Sequence, residues 1–348
     1  MILFHNDYSE GCHESVLRHM ADISCEQNPG YGEDEHCRRA ADMIRGLCGD
    51  DNLAVHFLVG GTQANLTVIA SALRSHQGVL CADSGHIHVH ETGAVEATGH
   101  KVLTLESTEG KINASQIRSY VSNHRSDPSF EHIVQPKMVY ISNPTEWGTL
   151  YTLAELEDIS RACQENGLYL FLDGARLGYG LMAEGNDITM PDLARLCDVF
   201  YVGGTKVGAL FGEAVVISNP DLATDFRYVI KQKGGMLAKG WLLGAQFEAL
   251  LRDNLYFDIS SRADRMADQL RCVFRELGYA FFMEGSTNQL FPVLPGHVRT
   301  SLGKKYTFIE MDWVDDDRRV CRFCTSWATK QQHVDELCDD LRRISVKL

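Results

Sequence analysis

The alternation of short apolar runs with helix-like stretches between about residues 52 and 248 constrains the fold of this chain more than any other feature. Seven runs have strand character, and most end in polar or glycine residues: LAVHFLV, GVLCAD, HKVLTLE, PKMVYIS, GLYLFLDG, CDVFYV and GEAVV. Between two of them, Thr152 and Glu155 form a capping box that begins a helix, and Gly167 ends it. Apolar strands separated by helices predict an α/β fold with a mostly parallel sheet that helices cover on both faces.

The pattern changes beyond about residue 251. An amphipathic stretch, SRADRMADQLRCVFRELG, precedes two alternating runs joined by an acidic turn in TFIEMDWVDDDRRVCRFC, which predicts a helix followed by a hairpin. A last helix is predicted to begin at Thr329, with Gln332 completing its capping box. We therefore predict an N-terminal arm (1–20), a large domain (21–250) and a small C-terminal α+β domain (251–348).

Composition excludes some partners. The formal net charge is −14, and no basic run offers the clustered Lys and Arg that nucleic acids or anionic membranes attract. We find no signal-peptide pattern and no apolar segment of membrane-spanning length. The 11 cysteines are an odd number scattered along the chain, which is typical of reduced thiols in a cytoplasmic protein.

Residues with reactive or ligand-binding groups stand at the ends of three predicted strands. One strand ends on Asp173, another is followed by Thr205 and Lys206, and Gly61 and Thr62 stand where a third gives way to a helix. In an open parallel sheet, ligands bind at the carboxyl ends of the strands, and a helix N-terminus offers free N–H groups to a phosphate. Each feature taken singly also fits a helix cap, a solvated lysine or a plain turn. Together they provide a lysine for a Schiff base, an acid for a pyridinium proton and a phosphate cradle, which pyridoxal phosphate requires.

The chain resembles the threonine aldolases of the β-eliminating lyase group. The resemblance rests on eight segments in order along the chain: FHNDYS, NPGYGED, GGTQAN, HIHVHETGA, EHIVQPK, DGARL, GGTKVG and VCRFCTSW. It implies a pyridoxal-phosphate-dependent, aminotransferase-like fold (fold type I), with a mostly parallel seven-stranded sheet and a small C-terminal domain.

The resemblance also implies how the cofactor is held. Lys206 matches the lysine that such enzymes join to the cofactor aldehyde, and Asp173 matches the aspartate paired with the pyridine nitrogen. Gly61 and Thr62 match the phosphate-binding turn, with Thr205 assisting. No acidic residue lies within four positions after Lys206 or seven before it, so we expect a dry, glycine-lined site without a neighbouring carboxylate that favours the neutral amine.

Two histidines match family positions. His86 matches one that lies against the cofactor ring, and His132 matches one near the substrate side chain. Either could accept the β-hydroxyl proton, and the sequence does not choose between them. If the segment were a strand, His86, His88 and His90 would share one face and suggest a metal site, but the resemblance uses only the first of them and we expect no metal.

The substrate carboxylate is expected to meet two arginines. Arg176 and Arg322 match the residues that bind it, with the nearby Arg319 as the alternative to Arg322, and Arg176 is also expected beside the cofactor. A guanidinium binds a carboxylate through two parallel hydrogen bonds and so fixes its orientation. Asn6 replaces a serine that helps to hold the carboxylate in the family, and its amide can still donate.

The resemblance implies retro-aldol cleavage of a β-hydroxy-α-amino acid, such as threonine or allo-threonine, to glycine and an aldehyde. It also implies a homodimer or homotetramer with shared active sites. A competing function on the same scaffold is β-elimination or transamination. A metal-dependent hydrolase built on the alternating histidines and a non-catalytic binding protein are two further hypotheses. A binding protein would require the loss of Lys206 or Asp173, and both residues are present.

Overall fold

The structure is a computed structural model, and it describes residues 1–345. The strands are β1 Ile2–Leu3, β2 Ala54–Leu58, β3 Gln77–Ala82, β4 Lys101–Leu105, β5 Gln135–Ser142, β6 Tyr169–Asp173, β7 Val199–Gly203, β8 Glu213–Ile217, β9 Phe281–Met283, β10 Gln289–Pro295, β11 Tyr306–Thr307, β12 Ile309–Trp313 and β13 Arg318–Cys324.

The helices alternate with these strands through the first two thirds of the chain. They are α1 Glu14–Asp22, α2 Glu35–Cys48, α3 Gly61–Ala72, α4 His86–Val89, α5 Ala114–Ser126, α6 Leu153–Asn166, α7 Leu177–Met182, α8 Met190–Leu196, α9 Pro220–Ala223, α10 Phe226–Gln232, α11 Trp241–Leu251, α12 Leu255–Glu276, α13 Gly296–Leu302 and α14 Gln331–Ser345. Three short 3-10 helices lie at Glu96–Thr98, Phe130–His132 and Arg252–Asn254.

A seven-stranded sheet forms the centre of the large part of the molecule. Its strand order is β2-β8-β7-β6-β5-β3-β4, and β8 alone runs antiparallel to both of its neighbours. The remaining pairs, β3 with β4 and β5, β5 with β6, and β6 with β7, are parallel. The prediction of a mostly parallel seven-stranded sheet is confirmed.

Hydrophobic clusters pack on both faces of this sheet, as its continuous apolar strands require. The strand β6 illustrates the alternation, because Leu170 and Leu172 belong to one cluster while Phe171 belongs to the other. The predicted capping box at the start of α6 forms, and Gly167 ends that helix in the left-handed conformation. Because both faces are covered, solvent and ligands reach the sheet at the ends of its strands.

A four-stranded antiparallel sheet of order β12-β13-β10-β9 forms the small C-terminal part. The predicted hairpin is the pair β12–β13, and α12 and α14 pack on this sheet. The N-terminal strand β1 pairs with β11, and Phe4 is buried in the same core. The domain boundaries at residues 20 and 250 stay a prediction.

One helix start was predicted wrongly. The last helix begins at Gln331, not at Thr329. The Thr329 hydroxyl instead accepts the backbone N–H of Ser326 at 2.8 Å, so a local turn uses the oxygen that a capping box would need. None of the helices within residues 1–345 combines the length and apolar character needed to cross a membrane.

Asp264 on α12 is a buried carboxyl in the helix layer of the structure. Among the described residues, neither of its oxygens has a hydrogen-bond partner. Burial, with the nearby Asp268 charge, raises the pKa of Asp264 to about 9. The folded protein therefore keeps a proton that the unfolded chain releases near a carboxyl pKa of about 3.9. Because the folded pKa is the higher one, the contribution of Asp264 to stability is most favourable below about pH 4 and becomes less favourable as the pH rises toward 9.

We expect Asp264→Asn to raise the free energy of unfolding at pH 8 by about 1–3 kcal/mol, because the amide is buried without first taking up a proton. The gain should shrink toward pH 5, where that proton uptake costs the wild-type protein less. Urea unfolding at both pH values measures it, with the exposed Asp258→Asn on the same helix as the control. An equal effect of Asp264→Asn at both pH values would contradict the assignment.

Candidate active site

A cavity of about 320 Å³ lies where the carboxyl ends of β5, β6 and β7 meet the start of α3. Its walls include a lysine, an arginine, a histidine and three carboxyl groups, from residues far apart in the chain. The lining residues are Tyr8, Val59, Gly60, Gly61, Thr62, His86, Ser142, Pro144, Glu146, Asp173, Ala175, Arg176, Tyr201, Thr205, Lys206, Phe211 and Glu213. The cavity lies at the strand ends where the sequence places Asp173 and Lys206, as expected for a ligand site in an open parallel sheet.

Glycines allow the ends of β6 and β7 to approach each other closely. A Cβ atom at Gly174 would overlap the carbonyl oxygen of Tyr201, and one at Gly203 would overlap the carbonyl of Ala175. Side chains at either position would force the two strands apart. The glycines next to Asp173 and before Lys206 thus bring these two residues to one cavity.

Asp173 is held by a complete set of donors at the end of β6. Its Oδ2 accepts the Tyr140 hydroxyl at 2.5 Å and the Asn65 amide at 3.2 Å, while Oδ1 accepts the backbone N–H of Ala175 at 2.9 Å. Burial alone would raise the pKa of Asp173. The charge of His86 and these hydrogen bonds outweigh it, so the pKa lies below its ordinary value. Asp173 is therefore an anchored carboxylate.

Lys206 lines the cavity without a direct partner. Among residues 1–345, its amine makes neither a side-chain hydrogen bond nor an ion pair. Burial and the Arg176 charge lower its pKa, while the carboxyls of Asp7, Asp173 and Glu213 oppose that shift. The expectation of a site without neighbouring carboxylates was wrong, because chain folding brings all three near. The predicted lowering of the amine pKa is nevertheless found.

Glu213, at the start of β8, adds little negative charge to this site. It accepts the backbone N–H of Gly204 at 3.1 Å. Burial raises its pKa to about 8, against the opposing effects of Thr205 and Lys206. Glu213 therefore holds a proton near neutral pH, which limits the negative charge that would stabilise a lysine ammonium.

The start of α3 offers an anion site at the cavity wall. Gly60 precedes the helix without any side-chain cap, and the first N–H groups of a helix have no partner within it. Gly61 and Thr62 lie in this first turn and line the cavity. Thr205 also lines it, and its hydroxyl accepts the backbone N–H of Gly212 at 3.0 Å, so its role toward a phosphate stays a prediction.

His86 begins the short helix α4 at the cavity wall. Its Nδ1–H donates to Glu91 at 2.8 Å, and Asn65 donates to the same carboxylate oxygen at 2.7 Å and also to Asp173. A buried network therefore ties the His86 ring to the anchored carboxylate. The strand that a metal site would require is not formed, because the segment is helical, and His88 and His90 are exposed.

The structure does not bring His132 to this cavity. His132 is exposed in a 3-10 helix before β5, whereas the cavity lies at the opposite end of that strand. The eight residues of β5 span roughly 25 Å at about 3.3 Å per residue. The expectation that His132 serves as a base in the cavity of its own chain is therefore corrected.

Arg176 is paired with an acid that the sequence reasoning missed. Its Nε–H and Nη2–H donate to the two oxygens of Asp7 at 2.7 and 3.1 Å, and Asn288 donates to the same carboxylate at 2.9 Å. Burial would raise the pKa of Asp7, but Arg176 and Lys206 lower it to about 2. The pairing leaves Nη1 without a partner among residues 1–345.

The other two predicted carboxylate-binding residues, Asn6 and Arg322, are not among the residues that line the cavity. Asn6 uses its Oδ1 to accept the N–H of Tyr8 at 3.0 Å and the hydroxyl of Ser9 at 2.8 Å. Arg322 donates to the His5 carbonyl at 3.3 Å, and its Nε is buried with no partner within the described chain. Their contacts with a substrate stay a prediction.

Glu146 is the second functional candidate that sequence reasoning missed. It lies four residues past the end of β5, lines the cavity and accepts the backbone N–H of His86 at 2.9 Å and the Ser142 hydroxyl at 2.7 Å. Burial raises its pKa. The strand-end rule, applied to β5 as it was to β6 and β7, would have identified it.

These walls fit the expected cofactor. An uncapped helix N-terminus suits a phosphate, an anchored carboxylate suits a pyridinium nitrogen, and an unpaired amine suits an aldehyde.

A protein-family model, relatives of known name and solved structures all match this chain. A family model described as β-eliminating lyase matches residues 7–295. The low specificity L-threonine aldolase of Pseudomonas aeruginosa is 32% identical, with 97% of this chain and 96% of that protein covered. The low specificity L-threonine aldolase of another Pseudomonas strain is 33% identical, with 90% of this chain and 89% of that protein covered.

Two solved structures show the fold. The Leishmania major threonine aldolase structure has a TM-score of 0.96 and 45% identity, covering 99% of this chain and all of that one. Thermus thermophilus aspartate aminotransferase has a TM-score of 0.71 at 14% identity, a likeness of fold alone. The predicted aminotransferase-like fold is confirmed.

We expect Asp7→Asn to destabilise the protein by about 3–5 kcal/mol at pH 7, because Arg176 loses the counterion of a buried pair. The loss should shrink as the pH falls toward 2, where the wild-type carboxyl is protonated. Urea unfolding measures both effects. As a control, Glu157→Gln breaks the exposed pair with Arg195 and should cost less than about 1 kcal/mol. A loss that small for Asp7→Asn would refute the buried pair.

Proposed function

The chain belongs to the β-eliminating lyase family, and from this premise we propose that it cleaves β-hydroxy-α-amino acids, threonine and allo-threonine among them, to glycine and an aldehyde. It is a pyridoxal-phosphate-dependent lyase. The observation that carries the proposal is the common cavity of Lys206 and Asp173, one with an unpaired amine and the other with an anchored carboxylate. The relatives named as threonine aldolases support the substrate class.

Seven residues would contact the cofactor. Gly61 and Thr62 would bind its phosphate at the start of α3, and Thr205 would assist. Asp173 would pair with the ring nitrogen, and Lys206 would hold the aldehyde carbon. His86 would lie against the ring, with Arg176 beside it. When bound, pyridoxal phosphate acts as an electron sink for the bond broken at Cα.

The protein contributes a reactive amine at Lys206. Burial and Arg176 disfavour its ammonium form, so the nitrogen lone pair is available at a pH where a solvated lysine is protonated. Burial also favours the protonated form of Glu213, which reduces the negative charge available to stabilise the ammonium.

Arginine side chains would set the orientation of the substrate. Arg176 keeps Nη1 for a substrate carboxylate while Asp7 fixes the plane of its guanidinium. The buried Nε of Arg322 and the Asn6 amide would complete the clamp. A fixed carboxylate decides which bond of Cα stands perpendicular to the cofactor ring, and that bond is the one broken.

The amino-acid substrate is a small molecule, and we expect no nucleic-acid or membrane partner. We further propose a homodimer or homotetramer with shared active sites and a cytoplasmic location. Eleven free cysteines support the reducing compartment.

The proposal is tested by two measurements on purified protein. Addition of pyridoxal phosphate should give a yellow chromophore that borohydride bleaches, and a panel of β-hydroxy-α-amino acids should yield glycine and the matching aldehyde. Formation of pyruvate and ammonia, or of a keto acid, would instead assign β-elimination or transamination. Protein that stays colourless would refute the cofactor.

We expect Arg176→Lys to bind cofactor normally but to lower kcat/KM for cleavage by about 100-fold, because a point charge cannot pair with Asp7 in a fixed plane and also hold the substrate carboxylate, a loss of about 2–3 kcal/mol. Cofactor absorbance and glycine formation measure the two effects. The exposed Arg195→Lys is the matched control. Wild-type kcat/KM in Arg176→Lys would remove this residue from the clamp.

A further inference from the structure

Glu146 is a carboxyl of the cavity to which no role has yet been assigned. It lies in the segment that leaves the carboxyl end of β5, and it is partly accessible from the cavity that holds Lys206 and Asp173. The second acid–base group expected from sequence, His132, lies outside that cavity. The position beside His86 is therefore taken by a carboxyl.

The contacts of Glu146 fix one of its oxygens and leave the other available. Its Oε1 accepts the backbone N–H of His86 at 2.9 Å and the hydroxyl of Ser142 at 2.7 Å. Within residues 1–345, its Oε2 accepts no hydrogen bond. Hydrogen bonds to Oε1 fix the orientation of the whole carboxyl group and therefore also the direction of Oε2. A general base needs such a fixed orientation to accept a substrate proton.

The other carboxyls of the cavity region are committed to protein groups. Both oxygens of Asp173 receive donors, and both oxygens of Asp7 face Arg176. Glu213 accepts the N–H of Gly204 and holds a proton near neutral pH. Glu146 is thus the carboxyl that the described structure leaves best able to receive a proton from a ligand.

We propose that Glu146 is a catalytic residue that accepts the β-hydroxyl proton of the substrate through Oε2. The inference rests on the proposed aldol cleavage and names the base for it. His86 stays the neighbouring ring, since its Nδ1 proton is held by Glu91.

The atoms and electrons of this step balance without a further reactant. The O–H bond breaks and its proton passes to the Glu146 carboxylate, while its electron pair becomes the second C–O bond of the aldehyde. The Cα–Cβ bond breaks, and its electron pair stays on the Cα side. A proton then adds to Cα, so that the products are glycine and an aldehyde.

The surroundings of Glu146 suit a base that works near neutral pH. Burial raises its pKa above the ordinary range, which brings it closer to the working pH. The titratable and charged groups that face it are Asp173 on β6, His86 on α4, Cys81 on β3, Tyr140 on β5 and Tyr151 after β5. The proton-accepting form is the carboxylate, so cleavage should fall as the pH drops through this raised pKa.

The test compares Glu146→Gln with wild type in two reactions of the cofactor-loaded enzyme. The glutamine keeps acceptors for His86 and Ser142 but cannot take a proton. Aldol cleavage should fall by at least about 100-fold. Exchange of a Cα hydrogen of glycine with D2O, which involves no β-hydroxyl, should stay within about 3-fold, and so should cofactor affinity. Glu146→Asp, which keeps a carboxylate, should retain more cleavage than the glutamine variant.

A second readout does not depend on the loaded enzyme. In cofactor-free protein, wild type should show one titrating infrared carbonyl band of a protonated carboxyl more than Glu146→Gln does, since the bands of Asp264 and Glu213 remain in both. The exposed Glu131→Gln, which removes the same charge elsewhere, is the control and should keep both the band and the cleavage rate.

The outcomes separate this inference from the proposed function. If wild type forms no glycine from any β-hydroxy-α-amino acid, the proposed function fails and takes the base with it. If wild type cleaves, and Glu146→Gln cleaves within about 3-fold of it with the same pH profile, Glu146 alone is refuted. Equal losses of cleavage and glycine exchange would assign Glu146 a structural role and would likewise overturn the proposal.

Discussion

The close approach of the ends of β6 and β7 is the constraint on which the rest of the site depends. The backbone at Gly174 meets the carbonyl of Tyr201, and the backbone at Gly203 meets that of Ala175, at separations that no side chain tolerates. Asp173 and Lys206 follow from this contact, because each stands within three residues of one of these glycines. A mostly parallel sheet covered on both faces leaves its strand ends as the accessible place for a ligand, and here those ends carry an acid and an amine.

Burying several ionisable groups close together costs solvation free energy. Ion pairs and hydrogen-bond donors within the protein compensate for this cost. Arg176 neutralises Asp7, and the tyrosine, amide and backbone donors of Asp173 replace the water that its carboxylate loses on burial. Glu213 has no such set of donors and keeps its proton near neutral pH. These differences leave Lys206 without a direct counterion, so its amine is easier to deprotonate than a surface lysine.

Local patterns in the sequence predict most of the fold and part of the site. Apolar runs and capping residues give the seven strands and the bounds of α6, and the same runs end at Asp173 and just before Lys206. Asp7 was not predictable in this way, because it reaches Arg176 across 169 positions of the chain. Likewise, no carboxyl is near Lys206 in sequence, yet folding brings Asp7, Asp173 and Glu213 close. His132 failed for the opposite reason, since a matched motif does not say at which end of a strand its side chain lies.

Asp173 and Glu146 illustrate how one functional group can take two tasks in a single cavity. Several donors and the His86 charge keep Asp173 ionised, as a partner for a cationic ring requires. Glu146 accepts the N–H of His86 and the hydroxyl of Ser142 on one oxygen, and here burial outweighs the donors and raises the pKa. Two carboxyls whose environments push their pKa values apart are suited to different roles, one as a fixed charge and the other as a group that gains and loses a proton. The difference between them comes from the number and placement of hydrogen-bond donors, which is set by the segments that follow β5 and β6.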